Sequence, residues 1–435
     1  RNVGRRRAEP KGNRRRRIET PRGHGHGHGH GHGDEVVDTS VVDADAVVAR
    51  RVRIVVAGIL APLILAAVVA MVLLWPSGPV KSAAPNMNPA RGTVTALEPC
   101  AKATEKCDVA TVRLTDAPAG DKGKDFQVQV PTSSQGTLPV HVGDVIMLSE
   151  TKGAPADQRY SYTDHDRTRP LAILAVIFAI AVVALSRWRG LAALGALALT
   201  AVMLTQFIMP AILEGSNPLL VAVVGGSVIM VVALFLTHGV NAETAVALAG
   251  TIAALGLTVG LGWVFVTLGQ LSGLAADSAS NVKGFFPGLD LSALLVAGMV
   301  IGALGVLDDV TITQASAVWE LSAANPSASR RSLVSAGLRI GRAHVASVVN
   351  TLVLAYAGAA LPLLMMYSVG NVGVMYGIST EPVAMEIIRG LVGSLGIILA
   401  VPLTTVLAAM AVADRSPELV AEPTSSGPAE SALAQ

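Results

Sequence analysis

Two adjacent carboxylates, Asp308 and Asp309, stand in the stretch GALGVLDDVTITQASAVWEL, residues 302–321, where an apolar run that begins at Leu291 is ending. An acid inside a bilayer costs at least a few kcal/mol and is rarely there without a role, so a pair at this depth is a candidate proton or cation site. At the membrane surface the same pair would be a solvated flank. Spacing separates the two acids. Gly298, Gly302, Gly305 and Asp309 follow one another at four, three and four residues and share one stripe of a helix, whereas Asp308 lies roughly 100° away. Small residues on one face permit close backbone approach, which predicts that Asp309 faces a neighbouring helix rather than lipid.

That neighbour is expected in GLRIGRAHVASVVNTLVLAYAGAALPLL, residues 337–364, where Thr351, Ala355 and Gly358 form a second small-residue stripe. Asn350 offers the acid a hydrogen-bonding amide, and it equally suits a bond to a nearby carbonyl. Arg342 and His344 stand at the entrance of this segment, as topology flanks or as site residues. Among lesser candidates, Glu386 and Arg389 have the i, i+3 spacing of an ion pair, and His238 closes an apolar run. Pro210, Pro218 and Pro402 either kink helices or break them. His24, His26, His28, His30 and His32 recur at every second position, so an extended chain would project them on one side for a soft metal; low-complexity expansion gives the same pattern.

The elements that must position these residues are membrane helices. The 435 residues are 51% hydrophobic and only 15% charged, against roughly 25% charge in a soluble domain of ordinary composition. The formal net charge of +2 provides no uniform basic field for nucleic acid. Residues 1–50 carry RRR, RRRR, the histidine repeat and an acidic patch, with too little apolar surface to offset the entropy of ordering, and are expected to be disordered and cytoplasmic. Ile54–Leu74 is long enough to cross a hydrocarbon core and follows Arg50, Arg51 and Arg53, as a signal anchor does. Seven further spans are predicted at Leu171–Ser186, Leu191–Leu213, Leu219–Thr237, Ala245–Leu268, Leu291 to about Gln314, Val345–Tyr367 and Leu391–Ala413. The expected fold is therefore mainly α, a polytopic bundle of about eight transmembrane helices. Arg187, Arg189, Arg330, Arg331, Arg339, Arg342 and Arg415 fall on the cytoplasmic side of such an arrangement, so both termini, including a 414–435 tail, are expected inside.

Residues 76–169 change texture. GTVTAL, DVATVRL, FQVQV and VHVGDVIML alternate apolar and polar at period two, which predicts four or five strands in a small barrel-like or sandwich domain outside the cytoplasm. Cys100 and Cys107 bracket the loop EPCAKATEKCD between two of these strands, a length that a disulfide can close in an oxidising compartment. A zinc site is the rival use, but no second cysteine pair accompanies them.

The stretches DHDRTRPLAIL, FIMPAILEGSNPL, ALFLTHGVNAETAVALAGT, GALGVLDDVTITQASAVWEL, GLRIGRAHVASVVNTLVLAYAGAALPLL and EIIRGLVGSLGIILAVPLTTVLAA resemble the YibE/F family of bacterial multi-pass membrane proteins, from about Arg91 to Ala411. The resemblance implies eight helices and an outer β domain, and marks Asp309, followed by Val310, as the family's acid. Asp308 stands where an apolar residue is common. No activity comes with the resemblance. The residues themselves point to a membrane transporter or permease-like protein, with Asp309 supported by Asn350 and Thr351, and the resemblance implies the bacterial plasma membrane. The alternative is a membrane scaffold or sensor whose outer domain binds an envelope partner. The bilayer is the expected partner, with a companion permease subunit or envelope component beside it; oligomeric state is not legible. Neither GxxxxGK[ST], HExxH nor GxSxG occurs, so an enzyme is not expected, and no cofactor is implied.

Overall fold

The structure is a computed structural model that describes residues 39–78, 88–100, 107–117, 120–132, 138–151, 153–155, 158–275, 277–370 and 373–412. The histidine repeat His24–His32 and the 414–435 segment lie outside the described residues. In chain order the elements are α1 (Thr39–Leu73), β1 (Asn88–Pro99), β2 (Cys107–Asp116), β3 (Asp125–Pro131), β4 (Val145–Glu150), β5 (Tyr160–His165) and α2 (Thr168–Met203). A π turn at Leu204–Ile208 leads to α3 (Met209–Leu213), then α4 (Pro218–His238), α5 (Ala242–Leu268), α6 (Asp277–Phe285) and α7 (Leu291–Ala324). The chain ends with α8 (Arg330–Ala359), α9 (Leu361–Val369), α10 (Val374–Ser379) and α11 (Glu381–Ala411).

The strands form one antiparallel sheet in the order β3-β2-β1-β4-β5, and its two edge strands come together, curling it into a half-barrel. Alternation does what period two requires: Val94, Val112, Leu114, Val128, Val130, Ile146 and Leu148 point inward and are buried together. The Cys100–Cys107 disulfide is present, with Cα atoms 5.6 Å apart, joining the end of β1 to the start of β2.

Among the described residues seven helices are long and apolar enough to cross a membrane, not eight. The difference lies in the second, Thr168–Leu213, which runs for 46 residues and would be about 69 Å long if straight. It is not straight. Arg187 leaves helical geometry at φ 51°, ψ −126°, and a Cβ on Gly190 would lie 2.5 Å from the Val182 carbonyl, eight residues back and some 12 Å away in a regular helix. The two spans expected on either side of Arg187 are thus one element with a sharp bend between them. Other bounds differ too: α7 runs on to Ala324, and the span expected at Val345–Tyr367 is divided between α8 and α9. α1 begins at Thr39, inside the segment expected to be disordered, because adding turns to an existing helix is cheap. α8 begins at Arg330 and α11 at Glu381, well before their apolar runs, since Ser329 caps α8 through its hydroxyl and Pro382 opens α11 at a position that needs no N–H donor.

The helices pack around α7, which lies chiefly against α5 and α11, with α4 and α8 beside it. Leu307, Val310, Ala315 and Val318 of α7, Leu248 and Ala254 of α5, and Ile397 and Ala400 of α11 make the core. Close approach is set by glycine opposite threonine. A Cβ on Gly250 of α5 would strike the Thr404 hydroxyl of α11, and one on Gly396 of α11 would strike that of Thr258 on α5. These reciprocal contacts make α5 and α11 antiparallel. Asn217, Asn241 and Asp290 each accept a backbone N–H three residues on, at 3.1, 2.7 and 3.0 Å, and so fix where α4, α5 and α7 begin.

Candidate functional site

The acid pair lies in the middle of α7, and its depth is fixed by the neighbours. α4 ends at His238, α5 starts at Ala242, and Ser316 of α7 donates its hydroxyl to Glu243 of α5 at this same end of the bundle. Asp309 is seven residues, about 10 Å, further in. Both acids therefore sit within the thickness of the apolar bundle rather than at its rim.

Their surroundings differ, and in the sense opposite to that expected. Asp309 is exposed, together with Gly298, Gly302 and Gly305. A Cβ at Gly298 or Gly305 would meet nothing within 4 Å, so no helix presses on this ridge. Only the Tyr356 hydroxyl of α8 comes near, 3.1 Å from a Cβ at Gly302. Asp308 faces inward, and its Oδ1 is buried with no hydrogen-bond partner. The reason is rotational: α7 turns Leu304 toward Gly226 of α4 and Thr311 toward α5, and Asp308 shares that side. The glycine ridge lies roughly 100° or more round α7 from Leu304 and Thr311.

The partners assigned to α8 are displaced as well. Asn350, Thr351 and Gly358 are exposed, Thr351 donates to the Ser347 carbonyl at 3.0 Å, and no hydrogen bond joins Asn350 to either acid. The apolar face of α8 that meets the core runs instead through Leu333, Gly337, Gly341 and Leu352, so its polar positions turn outward. His344 has a buried Nε2 without a partner. Arg342 is exposed. Glu386 and Arg389 form the expected pair at 3.5 Å, beside a cavity of about 190 Å³ between α8, α9 and α11 lined by Tyr356, Leu364 and Ile387 among others. His238 accepts or donates at Nδ1 to Thr237, 2.7 Å away, at the end of α4.

The polar contacts that do cross between helices begin one turn after Asp308. Thr311 bonds Thr251 of α5 at 2.5 Å and reaches back to the Asp308 carbonyl at 3.1 Å. Gln314 donates to the Gly337 carbonyl of α8 at 2.9 Å and to the Thr405 hydroxyl of α11 at 2.8 Å. Thr251, Thr311, Gln314 and Thr405 are all buried. Asp308, Thr311 and Gln314 follow at three-residue intervals, a polar line in the TITQ stretch that helical spacing alone could have exposed. Among the described residues no group of three or more His, Cys, Asp or Glu side chains is placed to hold a metal.

The sheet domain holds a second charged cluster. Asp121 is buried and meets Lys124 at 3.0 Å, Arg159 at 3.1 Å and the Tyr160 hydroxyl, which donates to it at 3.1 Å. Arg159 also donates to buried Glu150 at 2.7 Å. The Lys124 ammonium holds the Asp121 carboxyl below its ordinary value, and burial followed by the bond to Asp121 pushes the Tyr160 phenol up to about 12. Every member is paired within the cluster, as a structural network requires.

The model of the family described as YibE/F-like protein matches residues 174–414, more than half of the chain and nearly all of the helical bundle. The chain belongs to this family. The matched region includes α7 with both acids, α8 and α11, whereas α1 and the sheet domain precede it. No curated protein and no solved structure matches the chain.

Proposed function

We propose that this YibE/F-like chain is a transporter or permease-like protein of the bacterial plasma membrane, in which Asp308 and Asp309 together pass a proton or cation coupled to a solute. The observation that carries the reading is the contrast within the pair: one carboxylate oxygen is sealed without a donor, and the neighbouring side chain opens onto an uncovered face about 10 Å inside the bundle end. A buried carboxylate without a partner is strongly unfavourable unless a proton or cation meets it, and lipid is a poor cover for an exposed one. Asp309 then exchanges with the outside of the bundle and Asp308 with its interior.

Topology supports the reading. Arg53 at the start of the first apolar helix donates to the Ala411 carbonyl at the end of the last, 2.9 Å away, so the two ends of the bundle lie together, as an even number of crossings requires. Divided at Arg187, the 46-residue run supplies two crossings and the total reaches eight. The arginines then mark a cytoplasmic end, and the disulfide-bearing sheet falls on the oxidising side.

The test is flux into proteoliposomes of the purified chain under an imposed proton or cation gradient. Asp308→Asn and Asp309→Asn should each lower gradient-driven flux by at least about tenfold, the scale of losing one well-placed polar contact. Full flux in either variant removes that acid from the path, and absence of flux in the parent removes the reading. A scaffold role is favoured by one observation, the exposed Leu138 and Val142 on the segment leading to β4, where an envelope partner could dock.

A further inference from the structure

We propose that the amino-terminal half of α8 is a binding site for the phosphate headgroup of an anionic phospholipid. Arg331, Ser335, Leu338, Arg339 and Arg342 lie within about 100° of one another on the helix, roughly 140° from the face of Leu333, Gly337 and Gly341 that packs on α7 and α11. These residues, with Arg330 and Val334, line a single cleft. The charges of Arg331, Arg339 and Arg342 are not consumed internally. Among the described residues no carboxylate lies within ion-pair distance of Arg331, Arg339 or Arg342, and Arg339 instead donates to the Ser335 hydroxyl at 3.0 Å, which holds its guanidinium over the cleft.

Position decides the ligand. Gly341 packs against Gln314 of α7 and Val401 of α11, so Arg339 and Arg342 stand level with the end of α4 and the start of α5, where apolar helix gives way to polar chain. Arg331 lies a further 12 to 16 Å outward, about the depth of the headgroup layer and the water above it. Val334 and Leu338 between the arginines give glycerol and acyl carbons an apolar seat, which a soluble anion would not use. Guanidinium groups bind phosphate through paired N–H donors, and Arg331, Arg339 and Arg342 place three of them on one face. The chemistry is that of a phosphate monoanion with attached acyl chains.

The full chain would be reconstituted in nanodiscs of mixed phosphatidylglycerol and phosphatidylcholine, and the lipids that remain on it after transfer to neutral detergent counted by native mass spectrometry. Phosphatidylglycerol should be enriched over its bulk fraction. The triple variant R331A/R339A/R342A should reduce that enrichment by at least about tenfold, and the matching lysine variant should restore part of it, because charge survives while paired donation is lost. Arg389→Ala, at the other end of the bundle, is the control for a general loss of positive charge. No enrichment on the parent, or undiminished enrichment on the alanine variant with an unchanged melting transition, overturns the site. Release of the lipid by millimolar inorganic phosphate overturns the lipid as its occupant, and retention of an acidic protein in place of lipid does the same.

Discussion

At the residue scale the decisive fact is which of two neighbouring carboxylates is covered. One residue of helix rotates a side chain by 100°, and that is enough to turn Asp308 to the side of α7 that faces α4 and α5 and leave Asp309 on an open ridge. The same economy governs the sheet domain, where Tyr160 is held by a carboxylate that cannot be spared. Its phenol, raised to about 12 by burial first and by Asp121 second, favours the protonated form in the folded state. The stability it contributes is complete below pH 10, the value of an unfolded tyrosine, and is lost as pH rises from 10 through 12. Alkaline absorbance titration of the parent minus Tyr160→Phe should therefore show a midpoint near 12. A difference midpoint near 10 would mean that the phenol is free of the carboxylate. On the acid side Asp121 behaves in the opposite sense: its depressed value adds stability above the ordinary carboxylate range that disappears as pH falls below it.

At the scale of elements, α7 is held by polar contacts to three helices. Gln314 alone touches α8 and α11, and a side chain at Gly341 of α8 would collide with it and with Val401, one at Gly337 with Thr405. Gln314→Leu removes two donated bonds and leaves the Gly337 carbonyl without its side-chain donor inside the bundle. We expect a loss of about 2 kcal/mol, read as a lower midpoint in denaturant titration in detergent, with the sheet domain unaffected. An unchanged midpoint would show that α8 docks through its apolar face alone. The bend at Arg187 belongs to the same scale. A non-glycine residue at φ 51° is uncommon, and here it bends one long apolar run sharply.

At the scale of the whole molecule there are separate cores. The sheet residues are buried among themselves, and the helical residues form their own clusters around α7 and around Phe207 and Val221. Heating should consequently give two transitions. The disulfide closes a loop with a sequence separation of 7, for which loop entropy predicts about 2 kcal/mol of stabilisation. Reductant should lower the sheet transition by that amount and leave the helical one in place; a joint shift of both would show that the two cores unfold as one.

Apolar run length and period-two alternation, both local, determined that the chain is mostly helical, where most of its helices lie, and that four or five strands interrupt them; the short loop between Cys100 and Cys107 suggested their disulfide. The Glu386–Arg389 pair was legible for the same reason, being three residues apart on one helix. Contacts between distant segments were not. A stripe of glycines reads identically whether a helix covers it or not, so Gly298, Gly302 and Gly305 were expected to pack, whereas close helix contacts fall instead at glycines such as Gly250, Gly396, Gly337 and Gly341. The rotation of α7 about its own axis, which seals Asp308 and frees Asp309, is fixed by four neighbouring helices at once, and only the tertiary structure could decide it.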